Sequence, residues 1–257
     1  MRTRFAPTPS GYLHQGNLAN ALLNSWLAEQ SQGEMILRID ADDELRTQHE
    51  YTEYIFKCLR FFGLSFITSH PDPQIRHAYL KSQLTRIPDE LLFACECSRS
   101  SLIDHPCTCR EQGLIWRPGV NVLRLHLDEN LTSDIDGSTY KLNDEFGDVI
   151  LWRRDDVPAY HWANVIDDRD LHITHIVRGS DLHASSALHV HIAHLIGAKN
   201  LATANYRHHS LILDTDGNKL SKSQQSHATP TALDATFMSD VHSAAVRLAG
   251  ELNINVP

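Results

Sequence analysis

The sequence predicts an α/β protein built on a doubly wound parallel sheet, with a small cysteine-bearing insertion and a short helical C-terminal segment. Three observations carry this expectation. Residues 2–39 read as strand, glycine-bearing loop, helix and strand, a βαβ unit whose right-handed crossover starts such a sheet. Four of the five cysteines fall within the fifteen residues Cys95–Cys109, in a stretch unlike its flanks. Leu233–Leu252 returns to helical spacing.

Taken in order, Arg2–Ala6 is a short strand stopped by Pro7, and a Pro/Gly-rich loop follows. Leu18, Ala21, Leu22 and Ser25/Trp26 recur at helical spacing, the helix beginning near Asn17 or Leu18 and ended by Gly33. Met35–Ile39 is the second strand. Tyr51, Tyr54, Ile55, Cys58, Leu59 and Phe62 mark one face of an amphipathic helix. Short alternating stretches such as Val122–Leu127 suggest antiparallel strands in the insertion. Val149–Trp152 and Ile173–Val177 read as strands, Ala187–Ile196 as a helix, and Ser210–Leu213 as a strand entering the turn Asp214-Thr215-Asp216-Gly217. The expected division is 1–92 and 151–205 for the two halves of the catalytic domain, 93–150 for the insertion, and 206–257 for a loop and helical tail.

Composition narrows the function classes. No apolar run is long enough to span a bilayer, and Pro7, Pro9 and Gly11 interrupt any leader-like stretch. The expected location is the cytoplasm, with no membrane partner. A net charge of −9 argues against a broad nucleic-acid-binding face and leaves room for a local basic patch.

Two segments carry chemistry. Gly11 and Gly16 allow close backbone approach to a ligand, and the helix that follows offers its N-terminal amides and positive dipole end to phosphate, with His14 just ahead as a donor. More than two hundred residues later, Lys219-Leu220-Ser221-Lys222-Ser223 sets two ammonium groups among hydroxyls, which suits a pyrophosphate leaving group. Either alone reads as an ordinary turn. Together they point to an enzyme that activates a carboxylate with ATP.

The cysteines form Cys95-Glu96-Cys97 and Cys107-Thr108-Cys109, nine residues apart. Four thiolates suit a closed tetrahedral zinc site, and His105 offers an alternative nitrogen to Cys107. Cys58 lies on an apolar helical face and is expected in the core.

Arg4–His14 resembles the signature of class I aminoacyl-tRNA synthetases of the glutamyl subclass. His14-Gln15-Gly16-Asn17 matches that class's "HIGH" element, and Lys219–Ser223 its "KMSKS" loop. The similarity continues through Leu37–Asp40, Tyr160–Asp168 and Ile176–Asp181, so it spans most of residues 2–226.

This resemblance implies a fold and a set of roles. The fold is the Rossmann-like catalytic core of that class. His14, Lys219 and Lys222 are catalytic by this likeness, stabilising phosphate charge as a carboxylate attacks the α-phosphorus. Gly16, Asn17 and Ser221 join them in binding ATP, with magnesium. Arg4 and Arg178 pair with substrate carboxylates, a task that suits a forked guanidinium. Ala6, Asp40, Tyr160 and Asn164 complete the amino-acid pocket. Asp40 stands where the family places a glutamate, one methylene longer.

The insertion is similar to that of a truncated family within the subclass, the glutamyl-queuosine tRNA(Asp) synthetases, which carries a zinc site there. The implied ligands are Cys95, Cys97, Cys107 and Cys109, and the implied metal is structural. Ser223 to Pro257 leaves 34 residues, too few for an anticodon-binding domain. The resemblance therefore implies a monomeric ligase that forms glutamyl-adenylate and passes glutamate to queuosine in the anticodon loop of tRNA(Asp). A truncated paralogue with another amino acid or acceptor, and a non-enzymatic adenylate- or RNA-binding relic, are the alternatives.

Overall fold

The computed structural model describes residues 1–40, 48–69, 72–98, 100–104, 107–213 and 232–257. Along the first half run β1 (Arg2–Phe5), α1 (Gln15–Glu29), β2 (Glu34–Arg38), α2 (His49–Phe61), β3 (Ile67–Ser69), α3 (Pro73–Ser82), β4 (Leu92–Cys95) and the short α4 (Ser101–Asp104). The second half runs through β5 (Val122–Leu125), β6 (Thr132–Ile135), β7 (Ser138–Lys141), α5 (Leu142–Phe146), β8 (Val149–Trp152), α6 (Tyr160–Asp170), β9 (His175–Gly179), α7 (His183–Leu195), α8 (Lys199–Ala202), β10 (Asn205–His209) and α9 (Ala235–Leu252). None of the described helices is long and apolar enough to cross a membrane.

The chain divides into two compact units. The first comprises Met1–Pro71, Ile173–His183 and Ala204–Pro257. Here β1, β2 and β3 pair in parallel, Arg2 opposite Glu34 and Ile36 opposite Ile67. β9 and β10 also pair in parallel, His175 opposite Asn205. The Thr174 amide donates to the Arg2 carbonyl at 3.0 Å, and the Arg2 amide to the Thr174 hydroxyl at 3.0 Å, which sets β9 beside β1. The strand order is then β3-β2-β1-β9-β10. It reverses between β1 and β9, the switch point of a doubly wound sheet. Helix α1 lies over this junction. Leu18, Leu22, Leu23, Trp26 and Leu27 share a core with Val241, Ala245 and Leu248 of α9. At the two ends of α1, the Gln15 amide donates to the Asp240 carbonyl and the Gln30 amide to the Asn255 carbonyl, both at 2.9 Å.

The second unit comprises Asp72–His172 and Ala184–Thr203. It is built on antiparallel pairing, β4-β5-β8, with β6 and β7 as a separate hairpin. The hairpin turn is Asp136-Gly137, both at positive φ (47° and 78°), as a tight two-residue hairpin requires. Trp162 of α6 donates its indole N–H to the Leu80 carbonyl at the end of α3, 2.9 Å away. Arg76 of α3 is ion-paired with Asp167 of α6.

Three local expectations change. Helix α1 starts at Gln15, ahead of Asn17, because His14 rather than Asn17 is its cap. Gly33 is not the left-handed residue at the end of α1; that is Gln32, at φ 48°. Gly33 is instead required by proximity, since a Cβ there would lie 2.4 Å from the Met1 carbonyl oxygen. The strand expected at Ser210–Leu213 is Asn205–His209. In a parallel strand whose burial is irregular, the polar run Asn-Tyr-Arg-His-His hides the signal that the apolar Ser-Leu-Ile-Leu mimics.

Candidate active site and metal centre

All the strands of the first unit are parallel, so their C-terminal ends share one edge, where ligands bind in open α/β sheets. The residues leaving β1 are fixed there by main chain. The Asp40 amide donates to the Pro7 carbonyl at 3.2 Å and the Gln48 amide to the Pro9 carbonyl at 3.3 Å. Leu13 is fully buried. Tyr12 packs edge-on against Tyr51 and Tyr54, with ring centroids 5.0 and 4.9 Å away. Its hydroxyl donates to Glu50, which pushes the phenol up to about 12.

His14 closes α1 with a capping box. Its Nδ1 accepts from the Gly16 amide at 3.1 Å and the Asn17 amide at 3.4 Å, while Asn17 Oδ1 accepts from the His14 amide at 3.2 Å. An accepting Nδ1 carries no proton, so the ring is the Nε2–H form. Two of the helix's orphan N–H groups are thereby satisfied internally. Gly16 serves the same arrangement, since a Cβ there would sit 3.1 Å from His14 Cε1. The glycine that read as room for a ligand is, in this state, room for the imidazole.

The remaining candidates in this unit sit at the same edge. Arg4 lies on β1 and Arg178 on β9, both buried. The Arg178 guanidinium lies over the Tyr206 ring at 5.6 Å, a cation–π contact that orients it. Ala6 follows β1 directly. Asp40, just past β2, is engaged by Arg38, with Nε–Oδ1 at 2.7 Å and Nη2–Oδ2 at 3.3 Å. Gly179 ends β9 closely faced by side chains, since a Cβ would lie 2.6 Å from Asp181 Oδ1, which would have to shift. Lys219, Ser221 and Lys222 lie outside the described residues. Tyr160 and Asn164 belong to the second unit, on one face of α6 four residues apart, Tyr160 exposed and Asn164 buried. Tyr206 has no signal in the sequence, because its partner is identified only once β9 and β10 are in register.

The second unit holds the cysteine cluster. Cys95 ends β4, and Cys97, Cys107 and Cys109 lie on the loops beyond. The four sulfurs are within 4.8 Å of one another. Cys95–Cys107 and Cys97–Cys109 are each 3.6 Å apart and Cys97–Cys107 is 3.8 Å. These separations exceed any disulfide by far, the bond being about 2.05 Å. They match the edges of a tetrahedron around zinc, which a Zn–S distance of about 2.3 Å sets near 3.8 Å. The donor set therefore fits zinc. Burial pushes the Cys107 thiol up to about 12 and raises Cys97 as well, whereas Cys109 is lowered, its hydrogen bonds with the Glu96 main chain and the neighbouring thiols outweighing burial; four thiolates this close together call for a cation among them. Phe93, Val122, Leu114 and Ile150 pack around the cluster. His105 lies outside the described residues, and Cys107 completes the set of four. Cys58 is fully buried in the first unit, where burial pushes its thiol up to about 11.

The chain matches the family described as tRNA synthetases class I (E and Q), catalytic domain, over residues 1–102 and 111–236. It is 34% identical to a glutamyl-Q tRNA(Asp) synthetase of Burkholderia mallei, across 97% of this chain and 88% of that protein. It is 36% identical to one from Synechococcus sp., across 100% of this chain and 84% of the relative. Among solved structures it is similar in fold to a glutamate-tRNA synthetase from Elizabethkingia anophelis, with a TM-score of 0.70 and 24% identity. That match covers 89% of this chain and 54% of the other, so the chain spans about half the length of the solved synthetase.

Proposed function

The chain belongs to the class I tRNA synthetases of the E and Q type, and from that premise we propose that it activates glutamate with ATP and transfers the glutamyl group to queuosine in the anticodon loop of tRNA(Asp). The observation that carries the reading is the His14-capped start of α1 at the switch point of the sheet. It occurs in a chain aligned almost end to end with relatives bearing the glutamyl-Q name.

In the first step a glutamate carboxylate oxygen attacks the α-phosphorus of ATP, and the bond to pyrophosphate breaks. Charge builds on the phosphate oxygens. His14 donates to them from Nε2, and Lys219 and Lys222 neutralise the leaving group, a preorganised arrangement of the kind that supplies the largest share of many rate enhancements. Gly16, Asn17 and Ser221 line the phosphates, which arrive with magnesium. Arg4 and Arg178 pair with carboxylate, and the Tyr206 face keeps Arg178 from swinging away. The family resemblance gives Ala6 and Asp40 of the first unit, and Tyr160 and Asn164 of the second, roles in binding the amino acid. In the second step a nucleophile of the modified base attacks the acyl carbon and AMP leaves. Cys95, Cys97, Cys107 and Cys109 would hold zinc, which supplies a structural cross-link. All four ligand positions are protein sulfur, leaving none for substrate. The protein would work as a monomer.

Pyrophosphate exchange with each amino acid, without tRNA, is the test. Glutamate-only exchange supports the reading. Exchange with a different amino acid points to a paralogue of changed specificity, and none with any, in protein shown to be folded, points to a binding relic. Transfer of labelled glutamate to tRNA(Asp) with queuosine, and not to the same tRNA lacking it, tests the acceptor.

A further inference from the structure

We propose that His209 is a positioning residue that, through Asn20, locks the phosphate-binding start of α1 onto the C-terminal ends of β9 and β10. The proposal rests on the adenylate-forming reading above and concerns a residue to which that reading gives no role.

His209 is the last residue of β10, opposite Gly179 of β9, and it is buried at 5% exposure. Its Nε2 lies 3.1 Å from Asn20 Nδ2, and its Nδ1 lies 2.8 Å from the Ser210 carbonyl oxygen. The orientation of the Asn20 amide is set by its other partners. Its Nδ2 donates to the Val177 carbonyl of β9 at 3.1 Å, and its Oδ1 accepts from Asn24 Nδ2 at 3.2 Å. An amide nitrogen has two hydrogens and no acceptor. One hydrogen goes to Val177 and the other to His209, so Nε2 must accept and the imidazole proton must sit on Nδ1, where the Ser210 carbonyl takes it. The Asn20 amide nitrogen and both His209 ring nitrogens are each used in their own sense, and only one neutral tautomer of His209 satisfies them.

The lock reaches the candidate site from both sides. Asn20 lies on α1, about one and a half turns beyond His14. Beyond His209, Ser210 is held by Glu251 of α9, which accepts from its amide at 3.0 Å and its hydroxyl at 2.8 Å. The next residues then pack against the site glycines. Leu211 closes on the Cβ position of Gly179 at 2.9 Å, and Ile212 lies 3.9 Å from that of Gly16. His209 thus joins the His14-capped start of α1 to the strand ends that frame it.

Protonation would undo it. A second proton on Nε2 would point at the Asn20 amide hydrogens. Burial pushes the imidazole below its ordinary value, against the upward pull of the Ser210 carbonyl, Glu251 on α9 and Asp181 beyond β9. Asn20, facing it from α1, is uncharged.

The experiment combines kinetics and NMR on the full chain. In glutamate-dependent pyrophosphate exchange, His209→Ala should lower kcat/KM for ATP by roughly 10–100-fold, the scale of a sub-ångström misplacement. His209→Gln, whose side-chain oxygen reaches where Nε2 accepts, should restore most of that loss. It should also flatten the acid loss of rate that the lock predicts for wild type below about pH 6.5. A Gln variant that keeps the wild-type acid limb, or an Ala variant with undiminished kcat/KM, overturns the proposal. Should the Ala variant not fold, the Gln pH profile decides alone. Independently of activity, 15N-histidine NMR should show His209 as the Nδ1–H tautomer, and an Nε2–H ring overturns the lock. Wild type that shows no exchange removes the catalytic reading, and the proposal with it, while the tautomer still reports on the geometry.

Discussion

Asp40→Asn separates two tasks that one carboxylate is asked to perform. The resemblance assigns Asp40 to the amino-acid pocket, whereas the structure has it gripped by Arg38 through two contacts, 2.7 and 3.3 Å, with the Asp40 and Arg38 side chains only 15% and 4% exposed. Asparagine has the same shape. Its oxygen can keep one contact, but its NH2 must then face a guanidinium hydrogen. The variant therefore loses one charge-assisted hydrogen bond, about 1.5–3 kcal/mol, and the charge that balances a buried cation. Removing one partner of a fully buried pair costs about 3–5 kcal/mol, an upper bound here because Asp40 retains some solvent and Arg38 has other partners. A loss of about 2–3 kcal/mol satisfies both ranges, which at 2–4 °C per kcal/mol lowers Tm by about 4–12 °C. Thermal denaturation by circular dichroism measures this, and pyrophosphate exchange with varied glutamate measures binding. A melt within about 1 °C of wild type would refute the structural reasoning, since the Arg38 charge could not then depend on Asp40. A raised KM for glutamate with no change in Tm would assign the carboxylate to substrate alone.

Cys107→Ser should reduce bound zinc from one equivalent and loosen the second unit, seen by metal analysis and by increased amide exchange in Phe93–Val122; a fully retained zinc ion would exclude Cys107 as a ligand. Gly33→Ala should cost about 1–2 kcal/mol, because the new Cβ must push aside the Met1 carbonyl and the Glu34 amide bonded to it at 3.0 Å, and denaturant titration reads the loss. Acid should destabilise the fold below about pH 6.5. Burial holds His175, His191 and His209 below their ordinary value, so as pH falls through that value the unfolded chain takes up protons that the folded chain refuses. Melting temperature measured from neutral pH downward should decline, and a flat profile would show that these rings titrate normally.

The sequence reveals most where period and chemistry agree. The opening βαβ unit is legible because Pro7 stops β1, β2 has an apolar centre and α1 repeats at helical spacing, and the cysteine quartet because its spacing has few other uses. The start of α1 is misread because histidine is an uncommon cap, and only the folded chain reveals Nδ1 turned toward the Gly16 amide. Strand β10 is missed because its buried positions are filled by Tyr206 and His209, whose burial depends on partners such as Arg178 and Asn20 brought in from distant segments. Gly16 and Gly33 stand out in the sequence as special positions, but what each makes room for, a histidine ring and a chain terminus, is a matter of tertiary proximity.

The closure of the first unit by α9 has a consequence in time. Strand β1 is bonded to Thr174, and Gln15 and Gln30 of α1 are bonded to main chain 225 residues later. At translation rates of about 5–20 residues per second, α1 emerges roughly 10–45 s before the helix that covers it. The stretch Asp72–His172, by contrast, supplies most of the second unit without interruption. On the ribosome the middle of the chain can therefore fold while its beginning waits, with Leu22, Trp26 and Leu27 exposed until Val241, Ala245 and Leu248 arrive. That delay makes the end of the protein proposed to bind phosphate the last part to become native and the part most dependent on protection during synthesis.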